Sequence, residues 1–318
     1  MKKATKQAPN EQTTQNIAID IGYGDTKVMY DGKFFKFPSA ISQVRQAQVI
    51  LNDKESDTYA FNGSNFKVGQ KATRDAVPTR GFNFLFKYSP LLIAHALKLA
   101  KVDTSKPIAL ATGLSLLNYK EASNFMKVVS KFSVNDEVYH LKTSLFAQGQ
   151  GIFVEYPNPK DDKLICIIDI GYNTLDFLVF EDNEPSNELC FANQNGANKV
   201  IVDLQKLVSR EYSVDFSEQE AKKVFLSKKL VIAGQEIDFS DTINSMTTQY
   251  ADAVMDSLNN QAGDIIKRAD AIIVSGGGAY FLDIDYIRKQ YPHIHFSELP
   301  YEFANVRGYY RAAFSGGK

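Results

Sequence analysis

Two short stretches of the sequence repeat the tetrapeptide Asp-Ile-Gly-Tyr between apolar runs. The first copy lies in IAIDIGYGDTKVMYD at residues 17–31, and the second lies in IIDIGYNTLDFLVFED at residues 167–182. Glycines in a tight turn between two strands leave backbone N–H groups free to donate hydrogen bonds to phosphate oxygens. An aspartate near the end of the first strand, here Asp20 or Asp169, can hold Mg²⁺ through water. One copy alone could be an ordinary turn, but two copies at matching positions predict a metal–phosphate site.

A third glycine-rich stretch, IIVSGGGAY at residues 272–280, adds a possible contact for a flat ligand. A buried strand is predicted to run into three glycines and then into a helix. The glycines Gly276, Gly277 and Gly278 would let the backbone lie close against a base such as adenine. Taken alone, the stretch is also compatible with an ordinary flexible turn, because it matches neither GxGxxG nor the Walker motif.

The elements that must position these residues come in two similar halves. The first half is predicted to contain strands at 17–21, 26–30 and 33–37, a mixed polar insertion at 45–80 with short strands at 58–61 and 66–68, a helix at 89–101, a strand at 108–112 and a helix at 118–132. The second half is predicted to contain strands at 164–170, 174–181 and 188–191, helices at 197–211 and 217–227, a β pair at 229–238, a helix at 241–268, a strand at 271–275, a helix from about 279 and a terminal helix at 302–313. This repetition predicts a duplicated α/β architecture.

Composition and net charge limit the classes of protein to which the chain can belong. The 318 residues are 44% hydrophobic and 23% charged, which is typical of a globular chain with about two domains. The formal net charge of −1 provides no general attraction to nucleic acid or membrane. The first 16 residues carry lysines without the apolar segment of a secretory signal, and they are predicted to be a disordered polar tail. Both cysteines lie in strand-like stretches and are predicted to be core residues, which fits the cytoplasm.

The order of the motifs resembles the superfamily of actin, the sugar kinases and the heat-shock chaperone ATPases. Two hairpins with an aspartate and then a glycine-rich strand–helix turn follow one another along nearly the whole chain after residue 16. Three further segments are similar to the bacterial actin homologues of the ParM (StbA) plasmid-segregation family: FPSAI at 37–41, ATGLSLLNY at 111–119 and ANVRGYY at 304–310. In the second segment, Ser115 replaces the proline that is common in the family.

The resemblance implies an α/β fold of the actin-like ATPase type. Two duplicated ribonuclease-H-like domains would enclose a nucleotide cleft, and each would carry a small subdomain. The implied boundaries are a disordered tail at 1–16, domain I at 17–160 with a small subdomain at about 36–80 and a completing C-terminal helix at 300–318, and domain II at 161–299 with a small subdomain at about 200–245.

The resemblance also implies roles for individual residues. Asp20 and Asp169 match the Mg²⁺ aspartates, and Gln148 matches a residue that orients the attacking water, with Gln150 as its rival. Asp176 matches a loop residue that we interpret as structural. Contacts to the nucleotide are implied for Gly22, Tyr23, Gly24, Lys27, Gly171, Tyr172, Asn173, Thr174, Gly196, Glu220, Lys223, Gly276, Gly277 and Gly278. Of these, Glu220 and Lys223 on the helix at 217–227 could equally belong to a charged helix face that contacts solvent.

The function implied by the resemblance is an ATPase, with GTP as an alternative or additional nucleotide, that requires Mg²⁺ and polymerises head to tail. Such a filament would segregate plasmid DNA through a separate DNA-binding adaptor, without binding DNA or membrane directly. A monomeric small-molecule kinase is the alternative, although that class needs a catalytic aspartate where Gln148 stands. An actin-like scaffold for cell shape or organelle positioning, or a scaffold that does not hydrolyse its nucleotide, is a further alternative.

Overall fold

The chain forms two domains, each built on one large mixed β-sheet. In the computed structural model, the described residues are 13–44, 58–79, 81–158, 160–214 and 217–315. Residues 1–12 of the predicted tail and 45–57 of the predicted insertion lie outside the described residues. The tail prediction is wrong for Gln15 and Asn16, because both pair with the neighbouring parallel strand as the first residues of β1.

Domain I comprises β1 (Gln15–Ile21), β2 (Asp25–Tyr30), β3 (Lys33–Pro38), β4 (Ile41–Gln43), β5 (Tyr59–Phe61), β6 (Ser64–Val68), α1 (Phe82–Ala100), β7 (Ile108–Leu114), α2 (Ala122–Ser130), β8 (Lys131–Val134), β9 (Glu137–Ala147) and α3 (Gln150–Glu155). Its large sheet has the strand order β3-β2-β1-β7-β9-β8, and a small sheet has the order β4-β6-β5. Strand β1 is antiparallel to β2 and parallel to β7.

Domain II comprises β10 (Leu164–Ile170), β11 (Leu175–Glu181), β12 (Glu184–Pro185), β13 (Phe191–Asn193), α4 (Asn198–Tyr212), α5 (Glu218–Ser227), β14 (Lys229–Ile232), β15 (Gln235–Asp238), α6 (Ser240–Arg268), β16 (Ala271–Ser275), α7 (Ile284–Gln290) and β17 (Ile294–Phe296). Its sheet has the order β12-β11-β10-β16-β17, with β13 paired to β11. Strand β10 is antiparallel to β11 and parallel to β16, as β1 is to β2 and β7. The duplicated α/β architecture is therefore confirmed.

Most predicted elements agree with the structure to within two residues at each end, but α1 begins earlier than predicted. It begins at Phe82 rather than at residue 89, with Pro90 inside the helix. An internal proline costs about 3 kcal/mol, because it removes a hydrogen bond and crowds the preceding turn. Burial of Phe84, Leu92 and other apolar side chains on both sides of Pro90 offsets this cost, at roughly 1.5–3 kcal/mol each. Within the described ranges, no helix is both long and apolar enough to cross a bilayer.

The hairpin of β8 and β9 is absent from the sequence-based prediction. The helix predicted at 118–132 ends at Ser130, and Phe132 lies in β8, where its ring stacks on Tyr139 with 4.9 Å between centroids. Phe132 fits a helical spacing as well as an alternating strand pattern, so periodicity favoured the wrong element. The signal that identifies the hairpin is the turn Asn135-Asp136, whose φ values of 53° and 61° suit a two-residue β-hairpin.

Two further predictions are wrong in detail. The strand predicted at 188–191 is mostly a turn, in which Leu189 N–H donates to Ser186 O over 3.0 Å, so that β13 begins only at its last residue. The helix predicted from 279 is a 3-10 turn followed by α7, which begins where the Asp283 carboxylate accepts from Tyr286 N–H over 2.9 Å. In both places, a turn or a side-chain hydrogen bond takes the place of the regular backbone hydrogen bonds that the sequence pattern predicted.

The last helix returns the chain to the domain in which it began. Helix α8 (Ala304–Phe314) packs against β1 and β7 through a cluster formed by Ala18, Ala111, Phe303, Val306 and Tyr309. The Tyr309 ring stacks on Phe146 of β9, with 5.3 Å between centroids. This packing places the N-terminal end of α8 at the boundary between the two domains.

Helices α3 and α8 approach each other closely through glycine. An added Cβ at Gly308 would collide with the backbone of Gly151, and an added Cβ at Gly151 would collide with the backbone of Asn305. Since only glycine leaves room for this contact, the spacing of the two helices is fixed by backbone atoms rather than by side chains.

A buried carboxylate joins the two domains at a second point. Asp176 of β11 accepts hydrogen bonds from Ser115 Oγ over 2.8 Å and from Leu116 N–H over 2.7 Å, both of which follow β7 in domain I. Burial raises the pKa of Asp176 to about 6, although these hydrogen bonds favour its charged form.

We expect Gly308→Ala to destabilise the protein by about 1–3 kcal/mol or more, because the added methyl group must push α3 away from α8. Urea denaturation measures the change. Gly263→Ala is the matched control, since it is also a helical glycine and an added Cβ there meets nothing within 4 Å. This control should stay within about 1 kcal/mol of the wild type, because Gly263 directly follows the kink at Ala262 and the added methyl group meets no neighbour. A Gly308→Ala midpoint equal to that of the wild type would contradict the close crossing.

We expect Asp176→Ala to lower the free energy of unfolding by about 1–3 kcal/mol, because Leu116 N–H loses its acceptor. Asp176→Asn should cost clearly less, since its amide oxygen can still accept that bond. Both variants remove the charge, so the difference between them in urea denaturation isolates the hydrogen bonds. An equal loss in the two variants would mean that the charge, and not the hydrogen bonds, stabilises this contact.

Candidate functional site

A cleft between the two domains lies at the turns of the repeated hairpins. It encloses about 810 Å³ of empty space, including a mouth that is open to solvent. Most of the predicted site residues lie in its lining: Asp20, Gly22, Tyr23, Gly24, Lys27, Gln148, Asp169, Gly171, Tyr172, Thr174, Gly276, Gly277 and Gly278. The repeat therefore brings two equivalent turns to one cavity.

The first hairpin contributes a buried ion pair. Asp20 and Lys27 are partners across the β1–β2 register, and Lys27 Nζ lies 3.1 Å from Asp20 Oδ2. Burial alone would lower the pKa of Lys27, but the carboxylates of Asp20 and Asp25 raise it above its usual value, so the lysine keeps its charge. Gln148 Nε2 donates to the other oxygen, Asp20 Oδ1, over 3.3 Å.

The second hairpin repeats this geometry with different charges. Asp169 is paired across the β10–β11 register with Asp176, in the position that Lys27 occupies in the first hairpin. Burial, together with the negative charges of Asp176 and Asp20, raises the pKa of Asp169 to about 8. Asn305 Nδ2 donates to Asp169 Oδ2 over 2.5 Å, but a neutral amide does not balance the charge of a carboxylate.

The glycine-rich stretch presents bare backbone to the cleft. Gly276 has a φ of +92°, and an added Cβ would collide with Asp169 Oδ1 and the Ile170 carbonyl, so no other residue fits there. At Gly277, an added Cβ would meet only Glu302 Cβ at 3.6 Å. The turn therefore packs against the second hairpin on one side and leaves its backbone accessible on the other.

Two residues predicted to contact a nucleotide instead support the second turn. Asn173 Nδ2 donates to Thr79 O over 2.6 Å, which ties the turn to domain I. An added Cβ at Gly196 would collide with the backbone of Tyr172 and Asn173, so this glycine permits close packing of the loop before α4. Neither Asn173 nor Gly196 lies in the lining of the cleft.

The predicted pair Glu220 and Lys223 on α5 also lies outside the lining. Glu220 closes a capping box at the start of α5, where its carboxylate accepts from Ser217 N–H over 2.9 Å. Lys223 is exposed, whereas Lys222 lines the cleft and lies 2.6 Å from Asp25 Oδ2. The phase of the helix therefore turns Lys222, and not Lys223, toward the cavity.

A polar network in the cleft is missing from the sequence-based prediction. Glu302 accepts from Lys36 Nζ and from Tyr280 OH, each over 2.6 Å. Burial would raise the pKa of Glu302, but its bonds to Lys36 and Tyr280 hold the pKa below its usual value. Tyr280 follows the three glycines directly, which is a usable signal, but no pattern in the sequence marks Lys36 or Glu302.

The charges in the cleft fit a phosphate that arrives with a divalent cation. Four carboxylates and three lysines lie in the lining: Asp20, Asp25, Asp169, Glu302, Lys27, Lys36 and Lys222. With Asp169 ionised, a polyphosphate alone would meet more negative than positive charge there. Asp20 and Asp169, together with oxygens of the ligand and of water, make the kind of oxygen set that Mg²⁺ takes.

Two family models match consecutive parts of the chain. Residues 18–151 match the N-terminal domain of the actin-like proteins. Residues 167–285 match the C-terminal part of the MreB-like archaeal actin homologues. Each match begins in the first strand of one of the two repeated hairpins.

Individual proteins match over nearly their full length. The archaeal actin homologue of Thermoplasma volcanium is 25% identical over 342 aligned positions, which cover 93% of this chain and 98% of that protein. The solved structure of the archaeal actin homologue Ta0583 in complex with ADP has a TM-score of 0.76 at 22% identity, covering 94% of this chain and 99% of that one. A 15-stranded ParM filament from Clostridium botulinum has a TM-score of 0.76 at 21% identity, with coverages of 94% and 98%. The fold is thus actin-like.

Proposed function

We propose that the protein binds ATP together with Mg²⁺ and hydrolyses it. The observation that carries the proposal is the pair of equivalent hairpins whose buried aspartates, Asp20 and Asp169, face one cleft from the two domains. The ADP complex of a protein with the same fold supports an adenine nucleotide as the ligand, with GTP as the alternative.

Different lining residues would bind different parts of the nucleotide. Backbone N–H groups of the turns at 22–24 and 171–174 would donate to phosphate oxygens, and Lys27 would add a positive charge. Asp20 and Asp169 would hold Mg²⁺, which when bound neutralises charge on the β- and γ-phosphate oxygens. The bare backbone at 276–278 would lie against the base.

We assign the orientation of the attacking water to Gln148. It follows the last residue of β9, and its N–H donates to Leu114 O over 2.9 Å, which fixes the loop at the edge of the cleft. A neutral amide is a poor base but can orient a water by hydrogen bonds. The rival Gln150 is engaged elsewhere, because its Oε1 accepts from Ala147 N–H over 2.8 Å.

We further propose that the nucleotide-bound protein assembles head to tail into filaments and that hydrolysis weakens them. A head-to-tail contact joins two different surfaces of the subunit, so it extends into a filament instead of closing as a dimer does. A ParM filament whose subunits share this fold supports the proposal.

The proposed cargo is plasmid DNA, held by a separate DNA-binding adaptor in the cytoplasm. This proposal rests on the likeness of FPSAI, ATGLSLLNY and ANVRGYY to the ParM family. A formal net charge of −1 gives the subunit no general attraction to DNA, so an adaptor would make the contact.

The function is tested by right-angle light scattering on addition of Mg-ATP and then Mg-GTP, with phosphate release followed in parallel. We expect scattering to rise and then to decay as phosphate appears. Asp20→Ala and Asp169→Ala should each lower phosphate release by about 100-fold or more, because each removes a carboxylate that is proposed to hold Mg²⁺.

Asp103→Ala is the control for these variants, since it removes an exposed carboxylate that does not line the cleft. Phosphate release without scattering at micromolar protein would instead indicate a monomeric enzyme. A lasting rise without phosphate would indicate a static scaffold. Near-normal phosphate release from both aspartate variants would refute the assignment of the site.

Gln148→Ala separates hydrolysis from assembly. We expect phosphate release to fall by about 100-fold, as it does when a group that positions a reactant is lost, while Mg-ATP still raises the scattering. The scattering should then persist, because the subunits keep their ATP. Gln150→Ala should change phosphate release only a few-fold, and the reverse ranking of the two variants would reassign the water-orienting role to Gln150.

A further inference from the structure

We propose that Asn305 is a positioning residue that fixes the Asp169 carboxylate and the Gln148 loop relative to each other. This inference rests on the proposed function of the cleft, because it names a lining residue that supports hydrolysis through the two groups it holds. Asn305 lies in the first turn of α8, outside the repeated hairpins and the glycine-rich stretch.

Both ends of the Asn305 amide are used. Its Nδ2 donates to Asp169 Oδ2 over 2.5 Å, and its Oδ1 accepts from Gly149 N–H over 3.0 Å. The Gly149 N–H can only donate, so the amide oxygen must face Gly149 and the amide nitrogen must face Asp169. The side chain is 5% exposed, so water does not easily replace either bond.

The two bonds connect three separate parts of the chain. Asp169 belongs to the second hairpin in domain II, whereas Gly149 directly follows Gln148 and precedes the first residue of α3. The glycine contact between Gly151 and Gly308 holds α3 against α8 and so sets the distance between Asn305 and Gly149. Asn305 therefore holds the Asp169 carboxylate and the Gln148 loop in fixed positions relative to the crossing of α3 and α8.

The chemistry of this position favours an amide over a charged residue. In the first hairpin, Lys27 both orients Asp20 and balances its charge. Asn305 orients Asp169 by a hydrogen bond and leaves its negative charge available to Mg²⁺.

The test uses Asn305→Ala and Asn305→Leu, of which the second keeps a similar volume without hydrogen bonds. We expect kcat for ATP hydrolysis to fall about 10- to 100-fold in both, as is typical when a group supporting a metal ligand is removed. The Kd for ADP in EDTA should change by less than about threefold, because both ends of the Asn305 amide are already bonded within the protein.

A second readout does not depend on activity. The extra rise in Tm that Mg²⁺ adds to ADP, compared with ADP in EDTA, should shrink by roughly half or more in both variants, because Asp169 is no longer held in place. Asn195→Ala is the matched control. Asn195 is a half-buried asparagine that also donates to a side-chain oxygen, Ser257 Oγ, over 2.9 Å, but it does not line the cleft.

The outcomes separate this inference from the proposed function. If the wild type releases no phosphate and gains no stability from Mg-nucleotide, the proposed function fails. If the wild type is active and both Asn305 variants keep its kcat and its Mg²⁺-dependent rise in Tm, the inference fails alone. A lower Tm without ligand in the variants, with kcat unchanged, would show that Asn305 is merely structural and would also overturn it.

Discussion

The rest of the cleft depends on one constraint, which is a buried negative charge at Asp169 that the surrounding side chains do not balance. The two hairpins place their partners in the same register, but the first pairs Asp20 with a lysine and the second pairs Asp169 with Asp176. Such a carboxylate either takes up a proton or needs a cation, because burying an unpaired charge costs several kcal/mol. The raised pKa of Asp169 expresses this imbalance. A cation bound there would replace the proton and would stabilise the folded chain as well as the ligand.

The scaffold explains why this charge can be held in one place. Strands β10 and β16 are parallel and buried, and the glycine-rich turn after β16 lies directly against Asp169. The crossing of α3 and α8 is fixed by backbone contacts, and α8 packs on the sheet of domain I. The floor of the cleft is therefore built from backbone geometry, in which small displacements are opposed by direct collisions and not by flexible side chains.

The sequence predicts those parts of the site that are close along the chain. Asp20 and Lys27 meet through one hairpin register, so a local pattern is enough to pair them. Asn305 lies far along the chain from Asp169, and no local pattern can predict that α8 returns to domain I at the right depth. A second limit is seen on α5, where the sequence pointed to Lys223 but Lys222 lines the cleft. A shift of one residue is about 100° around a helix, and this shift decides which side chain faces the cleft. The β8–β9 hairpin shows a third limit, because Phe132 satisfies two periodicities and only its tertiary contacts choose between them.

The mouth of the cleft is held by a different kind of contact from its floor. Helix α5 of domain II reaches domain I through Lys222 and Asp25 over 2.6 Å, through Gln219 and the Gly24 carbonyl over 3.3 Å, and through Ser217 and the Thr73 carbonyl over 2.8 Å. Water can replace each of these polar contacts at a net cost of about 1 kcal/mol, whereas the contacts of Asp169 with Asn305 and of Asp176 with Ser115 at the floor are buried. We therefore expect the domains to separate first at α5, with the buried contacts at the floor as the hinge. A ligand could then enter while the Asp169–Asn305–Gly149 connection at the floor stays intact.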